Sequence, residues 1–224
     1  MRILKGFAAL AIAGLAVPAA AEDVSPPQAK VEANRVTHAG ESIRVSVPKS
    51  AAYAGSERFN LYGVADAEVH VFVEAAADRR IRRLYWIQFE SYLPSRPELS
   101  YDYADGNRKS ELAGVTTWLR SGPASTAGPT RPGSDREHVT GMLKRAGYVI
   151  PPEVMNVRMV QILDDPAGTG KGRRELMVIY SEDLALTGKT LAELTTDGKP
   201  NANWKPLEQA LIERATKAVS VARK

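Results

Sequence analysis

The sequence predicts an α+β fold in which a mainly antiparallel sheet of about six strands carries two helices on one face. Short segments of alternating apolar and polar residues recur between residues 43 and 180. Turn signals separate them, such as Asp105-Gly106-Asn107 and Asp164-Asp165-Pro166. Two further segments, which begin near Ser134 and Pro206, have the 3.6-residue spacing of helices.

The N-terminus is predicted to be a secretory signal peptide. Arg2 and Lys5 precede an apolar run that reaches Val17, and three alanines at 19–21 supply the small residues of a cleavage site. The apolar stretch at 6–21 is shorter than the about 20 residues that a spanning helix needs, which makes a membrane anchor the weaker alternative. We therefore expect a bacterial periplasmic or secreted protein without stable membrane insertion of the mature chain.

Three parts are expected along the chain. Residues 1–21 are the signal peptide, residues 22–35 are a flexible leader without periodicity, and residues 36–224 are a single α+β domain. The chain contains no cysteine, so we expect the domain to be held by packing alone and to carry no lipid on a cysteine.

The charge balance gives no reason to expect a nucleic-acid partner. The chain has 30 basic and 26 acidic residues, and loss of Arg2 and Lys5 leaves a net charge of 28 minus 26, or +2. Binding to phosphate backbones generally requires a much stronger basic excess.

The strand predictions follow the chain and are bounded by Gly, Pro and Asp clusters. Strands are expected at 43–47, 68–74, 84–93, 99–103, 115–120, 154–163 and 174–180. The stretch 121–133 is rich in Gly, Pro, Ser and Thr and is predicted to be a loop.

The segments 68–74 and 84–93 are predicted to pair as an antiparallel hairpin. We expect the register that keeps one apolar face continuous, because a shift of one residue turns every side chain over. A slide of two residues would place Glu68 opposite Glu90, where like charges are unfavourable. The expected neighbours are Val69 with Ile87, Val71 with Tyr85, and Glu74 with Arg82.

Two helices are predicted. Ser134 and Glu137 form a capping box for a helix that runs to about Ala146 and ends at Gly147. The second begins near Pro206, and we expect its apolar stripe to pack on the sheet, with a partner-binding or membrane-surface helix as the alternative. That stripe consists of Leu207, Ala210, Leu211, Arg214, Ala218 and Val221.

The sequence lacks the signatures of the common catalytic and cofactor-binding classes. It has no cysteine nucleophile and no Gly-x-Ser-x-Gly elbow, and His38, His70 and His138 stand in unrelated contexts. The segment 165–172 is not a P-loop, because Gly172 stands where Ser or Thr would hold magnesium. We expect no metal and no other cofactor.

Two functions from different classes remain open. The first is a non-enzymatic binding or interaction module for an envelope protein or an anionic small molecule. The alternative is a periplasmic hydrolase with a carboxylate and histidine site, whose acid and base are among Glu68, His70, Glu90 and Asp102. The hydrolase requires His70, Glu68 and Glu90 to converge in one concave site.

The candidate ligand-binding residues form two groups. Arg79, Arg80 and Arg83 lie on the predicted hairpin tip and are expected to bind an anion, while Arg82 pairs with Glu74. The second group consists of Tyr92, Tyr101, Trp118 and Arg120. Its aromatic side chains are expected to belong to the core, or to line a pocket with Arg120 for an apolar or amphipathic ligand if one sheet face is incompletely covered.

Overall fold

The structure is a computed structural model that describes residues 26–223. The predicted signal peptide and residues 22–25 of the predicted leader lie outside the described residues. Within 26–223, the chain is mostly antiparallel sheet, with one seven-stranded and one four-stranded sheet as its main layers. No helix in this described range is long and apolar enough to cross a membrane.

Strands outnumber helices between residues 26 and 223. In chain order, the strands are β1 (Lys30–Glu32), β2 (Arg35–His38), β3 (Ile43–Ser46), β4 (Ala52–Leu61), β5 (Ala65–Ala75), β6 (Ile81–Tyr92), β7 (Tyr101–Asp102), β8 (Arg108–Leu112), β9 (Val115–Ser125), β10 (Glu153–Ile162), β11 (Lys171–Gly172), β12 (Arg174–Asp183), β13 (Thr195–Thr196), β14 (Lys199–Pro200) and β15 (Ser220–Arg223). The α-helices are α1 (Asp135–Arg145), α2 (Leu191–Leu194) and α3 (Trp204–Ala218), and Leu184–Thr187 is a 3-10 turn.

The large sheet has the order β4-β5-β6-β12-β10-β9-β8, and the small sheet has the order β1-β2-β3-β15. What we call the first face of the large sheet carries Phe72, Tyr85 and Val178 and packs against the small sheet and α3. The second face carries Val71 and Trp86 and packs against α1. Both faces are therefore covered over much of their area.

The expectation that both long helices pack on one face is corrected. Leu211 and Ala215 of α3 join the core on the first face, whereas Val139 and Leu143 of α1 join the core on the second face. The central strands are apolar on both sides, so each side requires its own cover.

The predicted hairpin exists, but the predicted register is wrong by one residue. Val71 lies opposite Trp86, and Glu74 lies opposite Arg83, with the Arg83 Nη1 atom 2.8 Å from the Glu74 Oε2 atom. Arg82 is the extra residue of a bulge between the pairs Glu74/Arg83 and Ala75/Ile81. Continuity of one apolar face does not select the register here, because both faces of this hairpin are buried.

Part of the predicted flexible leader is strand. Lys30–Glu32 form β1, and β2 begins at Arg35. The preceding backbone is held by Glu68, whose carboxylate accepts hydrogen bonds from the N–H groups of Gln28 at 2.6 Å and Ala29 at 2.8 Å. Proline and polar residues made this segment resemble unstructured chain, but a distant carboxylate and the pairing of β1 with β2 supply its hydrogen bonds.

The predicted start of α1 is confirmed. The Ser134 side chain accepts a hydrogen bond from the Glu137 N–H at 3.2 Å, and the Glu137 carboxylate returns to the N–H of Gly133 rather than to that of Ser134. Gly147, with a φ of +76°, follows the helix end. The helix that begins here packs Val139 and Leu143 against the second face of the sheet.

Two predicted boundaries are corrected. The predicted loop 121–133 begins as strand, because β10 pairs with β9 as far as Ser125. The predicted second helix ends at Ala218, and Val221 belongs to β15, where it pairs with Val45. In both places a partner strand overrides the local sequence preference.

Candidate functional site

A large groove lies on the second face of the large sheet. Its floor is formed by β6, β12, β10 and β9, and its walls by α1 and the loop that follows β9. The cavity has a volume of about 1040 Å³ and opens to solvent past exposed residues such as Ala127 and Pro129. This volume matches the upper end of the range typical of small-molecule sites, about 300–1000 Å³.

Most of the groove wall is apolar. The sheet strands contribute alternate side chains to the floor, and one side of α1 faces them across the cavity. Apolar side chains along the wall are Ile81, Leu84, Trp86, Val139, Leu143 and Ile179. Such a wall removes apolar surface of a ligand from water, the main driving force in most ligand sites.

Four groove residues form one row across neighbouring strands. Trp86 of β6 lies opposite Ile179 of β12, Ile179 lies opposite Arg158 of β10, and Arg158 lies opposite Arg120 of β9. All four line the groove. Since neighbouring strands are about 4.8 Å apart, this row changes from apolar to cationic over the width of a small molecule.

A chain of hydrogen bonds leads from the groove into a buried polar cluster. The Trp86 indole donates to Gln88 at 2.8 Å, and the Gln88 amide donates to Glu90 at 2.7 Å. Glu90 also accepts from the Tyr101 hydroxyl at 2.6 Å. Glu175 lies directly opposite Glu90 on β12, is 2 % exposed, and its Oε2 atom has no hydrogen-bond partner within the described part of the chain.

Burial and mutual repulsion set the ionisation of this carboxyl pair. Burial first, and then the charge of Glu90, raise the pKa of Glu175 to about 8, against opposing contributions from Tyr103 and Arg158. Burial also raises the pKa of Glu90 above its usual value. The pair therefore retains at least one proton near neutral pH.

The predicted aromatic group is divided by the structure. Tyr92 stacks on Tyr101 with ring centroids 4.4 Å apart, beside the carboxyl pair rather than in the groove. Trp118 is 6 % exposed and packs in the core of the second face. Of the four predicted pocket residues, Arg120 lines the groove.

The predicted arginine tip does not form a shared anion site in the structure. Arg79 donates to the Ala146 carbonyl at 2.5 Å, and Arg80 donates to Asp183 at 2.6 and 3.0 Å. Arg83, rather than Arg82, pairs with Glu74. Each of the three guanidinium groups therefore has its own partner within the described chain, and the Arg83 Nε atom also lies 3.6 Å from the Glu182 Oε1 atom.

The residues of the alternative hydrolase do not converge. His70 and Glu68 meet on the first face, with the His70 Nε2 atom 2.8 Å from the Glu68 Oε1 atom, whereas Glu90 lies on the second face. Asp102 is exposed and lies 3.3 Å from Lys171. Among residues 26–223, no group of three His, Cys, Asp or Glu side chains is placed to hold a metal ion.

Arg158 and Glu175 were missed in the sequence, although one signal points to Arg158. In the predicted strand 154–163, Asn156 and Arg158 alternate with apolar residues, which places two polar side chains on the same face. Polar residues on one face of an otherwise apolar strand indicate an incompletely covered face. Glu175 had no such signal because its neighbour Glu90 is distant in sequence.

A comparison of the chain with protein-family models, with curated proteins and with solved structures finds no match.

Proposed function

We propose that the protein is a non-enzymatic binding protein of the bacterial envelope whose groove holds a largely apolar small molecule. The groove carries this proposal, because it combines a volume of about 1040 Å³ with an apolar wall and an opening to solvent. The location rests on the predicted signal peptide at 1–21.

A peptide that adds a strand to the sheet is the competing occupant. Strand β8 pairs with β9 only from Val115 to Leu119, so the outer edge of β9 beyond Leu119 has no strand partner in the described chain. Pro123 lies in the middle of that edge and has no N–H group to donate, which disfavours strand addition. We therefore favour a small molecule over an added peptide strand as the occupant of the groove.

Binding of N-phenylnaphthylamine, an uncharged fluorescent probe, tests this proposal. Ala124 lines the groove on β9, and Ala124→Trp places a large side chain there. The matched control is Ala77→Trp, on the exposed turn between β5 and β6.

We expect saturable binding with equal affinity in wild type and Ala77→Trp, and strongly reduced binding in Ala124→Trp. Equal binding by all three proteins would show that the probe binds elsewhere and would refute the groove as its binding site. No binding by the wild type, together with binding of extended peptides that Ala124→Trp abolishes, would favour strand addition instead.

A further inference from the structure

Arg120 and Arg158 are two like charges placed directly opposite each other on neighbouring strands. Arg120 is exposed and Arg158 is half-buried, and both side chains line the groove. Neither forms a salt bridge within residues 26–223. Like charges in this arrangement are unfavourable unless another group neutralises them.

The acidic residues of the groove wall are already engaged by other arginines. Glu182 accepts two hydrogen bonds of 2.8 Å from Arg214, and Asp183 is held by Arg80. Each carboxylate is thereby satisfied away from the pair Arg120 and Arg158. No groove carboxylate of the described chain is therefore left for Arg120, while Arg158 lies over the Tyr103 ring and feels the charge of the buried carboxyl cluster around Glu175 rather than that of a groove carboxylate.

Arg158 also has unused hydrogen-bonding capacity. Its Nη2 atom donates to Asn107 across a long distance of 3.3 Å, and its buried Nε atom has no partner within the described part of the chain. A buried donor without a partner is unfavourable, and a bound oxyanion that accepts from it would offset this cost.

We propose that Arg120 and Arg158 form the anion subsite of the groove, and that its ligand is an amphipathic molecule with an apolar body and a carboxylate, sulfonate or phosphate group. This inference rests on the proposed function and specifies its ligand class. The apolar body lies over Trp86 and Ile179, and the anion lies one strand further along the same row. Guanidinium groups match planar oxyanions with paired N–H donors.

Two dyes of similar shape distinguish the contribution of the anionic group to affinity from that of the apolar body. Anilinonaphthalene sulfonate carries a sulfonate that stays ionised across the accessible pH range, whereas N-phenylnaphthylamine is uncharged. Affinities of both are measured in wild type, Arg120→Gln and Arg158→Gln. Arg82→Gln, in the exposed bulge of the β5–β6 hairpin, is the charge-matched control.

Each groove variant should bind the sulfonate dye about tenfold more weakly, the effect of losing one charge-assisted hydrogen-bonding group. Affinity for the uncharged dye should stay within about twofold in every variant, since the apolar wall is intact. Salt should weaken binding of the sulfonate dye alone. Arg82→Gln should match the wild type with both dyes.

Inorganic phosphate distinguishes a free anion from an anionic amphiphile. We expect phosphate to displace the sulfonate dye only at millimolar concentration, because it lacks the apolar body. Displacement of the sulfonate dye by micromolar phosphate would assign the subsite to a free anion and would overturn the proposal that the ligand is an amphiphile.

Failure of the inference and failure of the proposed function give different results. If both dyes bind in the groove and the arginine variants keep wild-type affinity for the sulfonate dye, the anion subsite is refuted and the apolar groove stands. If neither dye binds the wild type, the proposed function and this inference are refuted together.

Discussion

Glu90 and Glu175 lie directly opposite each other on β6 and β12, on the second face of the large sheet. Two carboxyl groups in this position cannot both ionise without strong repulsion in a buried setting. Asp135 at the start of α1 adds a third acidic group whose pKa is raised by burial. Tyr92, Tyr101, Tyr103 and Arg158 complete the surroundings of the pair.

The carboxyl pair predicts a loss of stability as the pH rises from about 4.5 to about 8. The pKa of Glu175 is about 8 in the folded protein against a usual value of 4.5, so between these pH values the folded state binds more protons than the unfolded chain. The free energy of unfolding therefore falls as pH rises through this interval. Glu175→Gln should leave stability near pH 5 almost unchanged and remove much of the fall towards pH 8.

Thermal unfolding at a series of pH values measures this effect, with Glu111→Gln on the exposed strand β8 as the control. Parallel pH profiles for wild type and Glu175→Gln would show that Glu175 ionises normally in the folded protein.

Removal of the helix cap should weaken α1. Ser134→Ala removes the oxygen that accepts from the Glu137 N–H, and loss of such a cap costs about 1 kcal/mol. Urea denaturation gives the difference, and Ser95→Ala, in an exposed turn, is the control. An unchanged midpoint for Ser134→Ala would mean that the cap contributes nothing to stability.

The hairpin arginines should differ in their effects on stability. Arg80→Ala leaves the buried carboxylate of Asp183 without the two hydrogen bonds from Arg80, so that within the described chain only the Ala185 N–H still donates to it, and we expect a loss of about 1–2 kcal/mol after allowance for the partial exposure of Arg80. Arg82→Ala should change stability by no more than about 0.5 kcal/mol. Chemical denaturation of both variants tests this order, and equal losses would contradict the assigned contacts.

Glu68 should control exchange in the N-terminal segment. Glu68→Gln weakens the acceptor of the Gln28 and Ala29 N–H groups, so hydrogen exchange at residues 28–32 should accelerate. Glu32→Gln lies in the same segment on an exposed side chain and should leave exchange unchanged. Slow exchange in Glu68→Gln would show that β1 pairing alone holds the segment.

Local patterns in the sequence were sufficient for most elements of the large sheet and for the start of α1. The sequence pattern did not predict strand β4, because its central residues Gly55, Ser56 and Glu57 are small or polar. These residues form a strand because they pair with β5. The register of the β5–β6 hairpin could not be predicted from the alternation of apolar residues, because both faces of the hairpin are apolar. Both the existence of β4 and this register depend on a partner strand, so the sequence of one segment does not determine them.

The site was less predictable than the fold, since its contacts join distant segments. Arg120 was identified, but its neighbour Arg158 is brought beside it only by the pairing of β9 with β10. Arg80 stood out as a possible anion ligand because Asp183, its partner, is 103 residues away. Partners at such separations decide whether a charged side chain is free to bind a ligand.

Native mass spectrometry of the protein purified from its own host tests the central claim most directly. Wild type and Ala124→Trp are extracted under the same mild conditions and compared. The proposed groove predicts an additional non-covalent mass on the wild type, released on activation as an anionic amphiphile, and little or none on Ala124→Trp. A wild type without any bound molecule, or equal occupancy of both proteins, would contradict it.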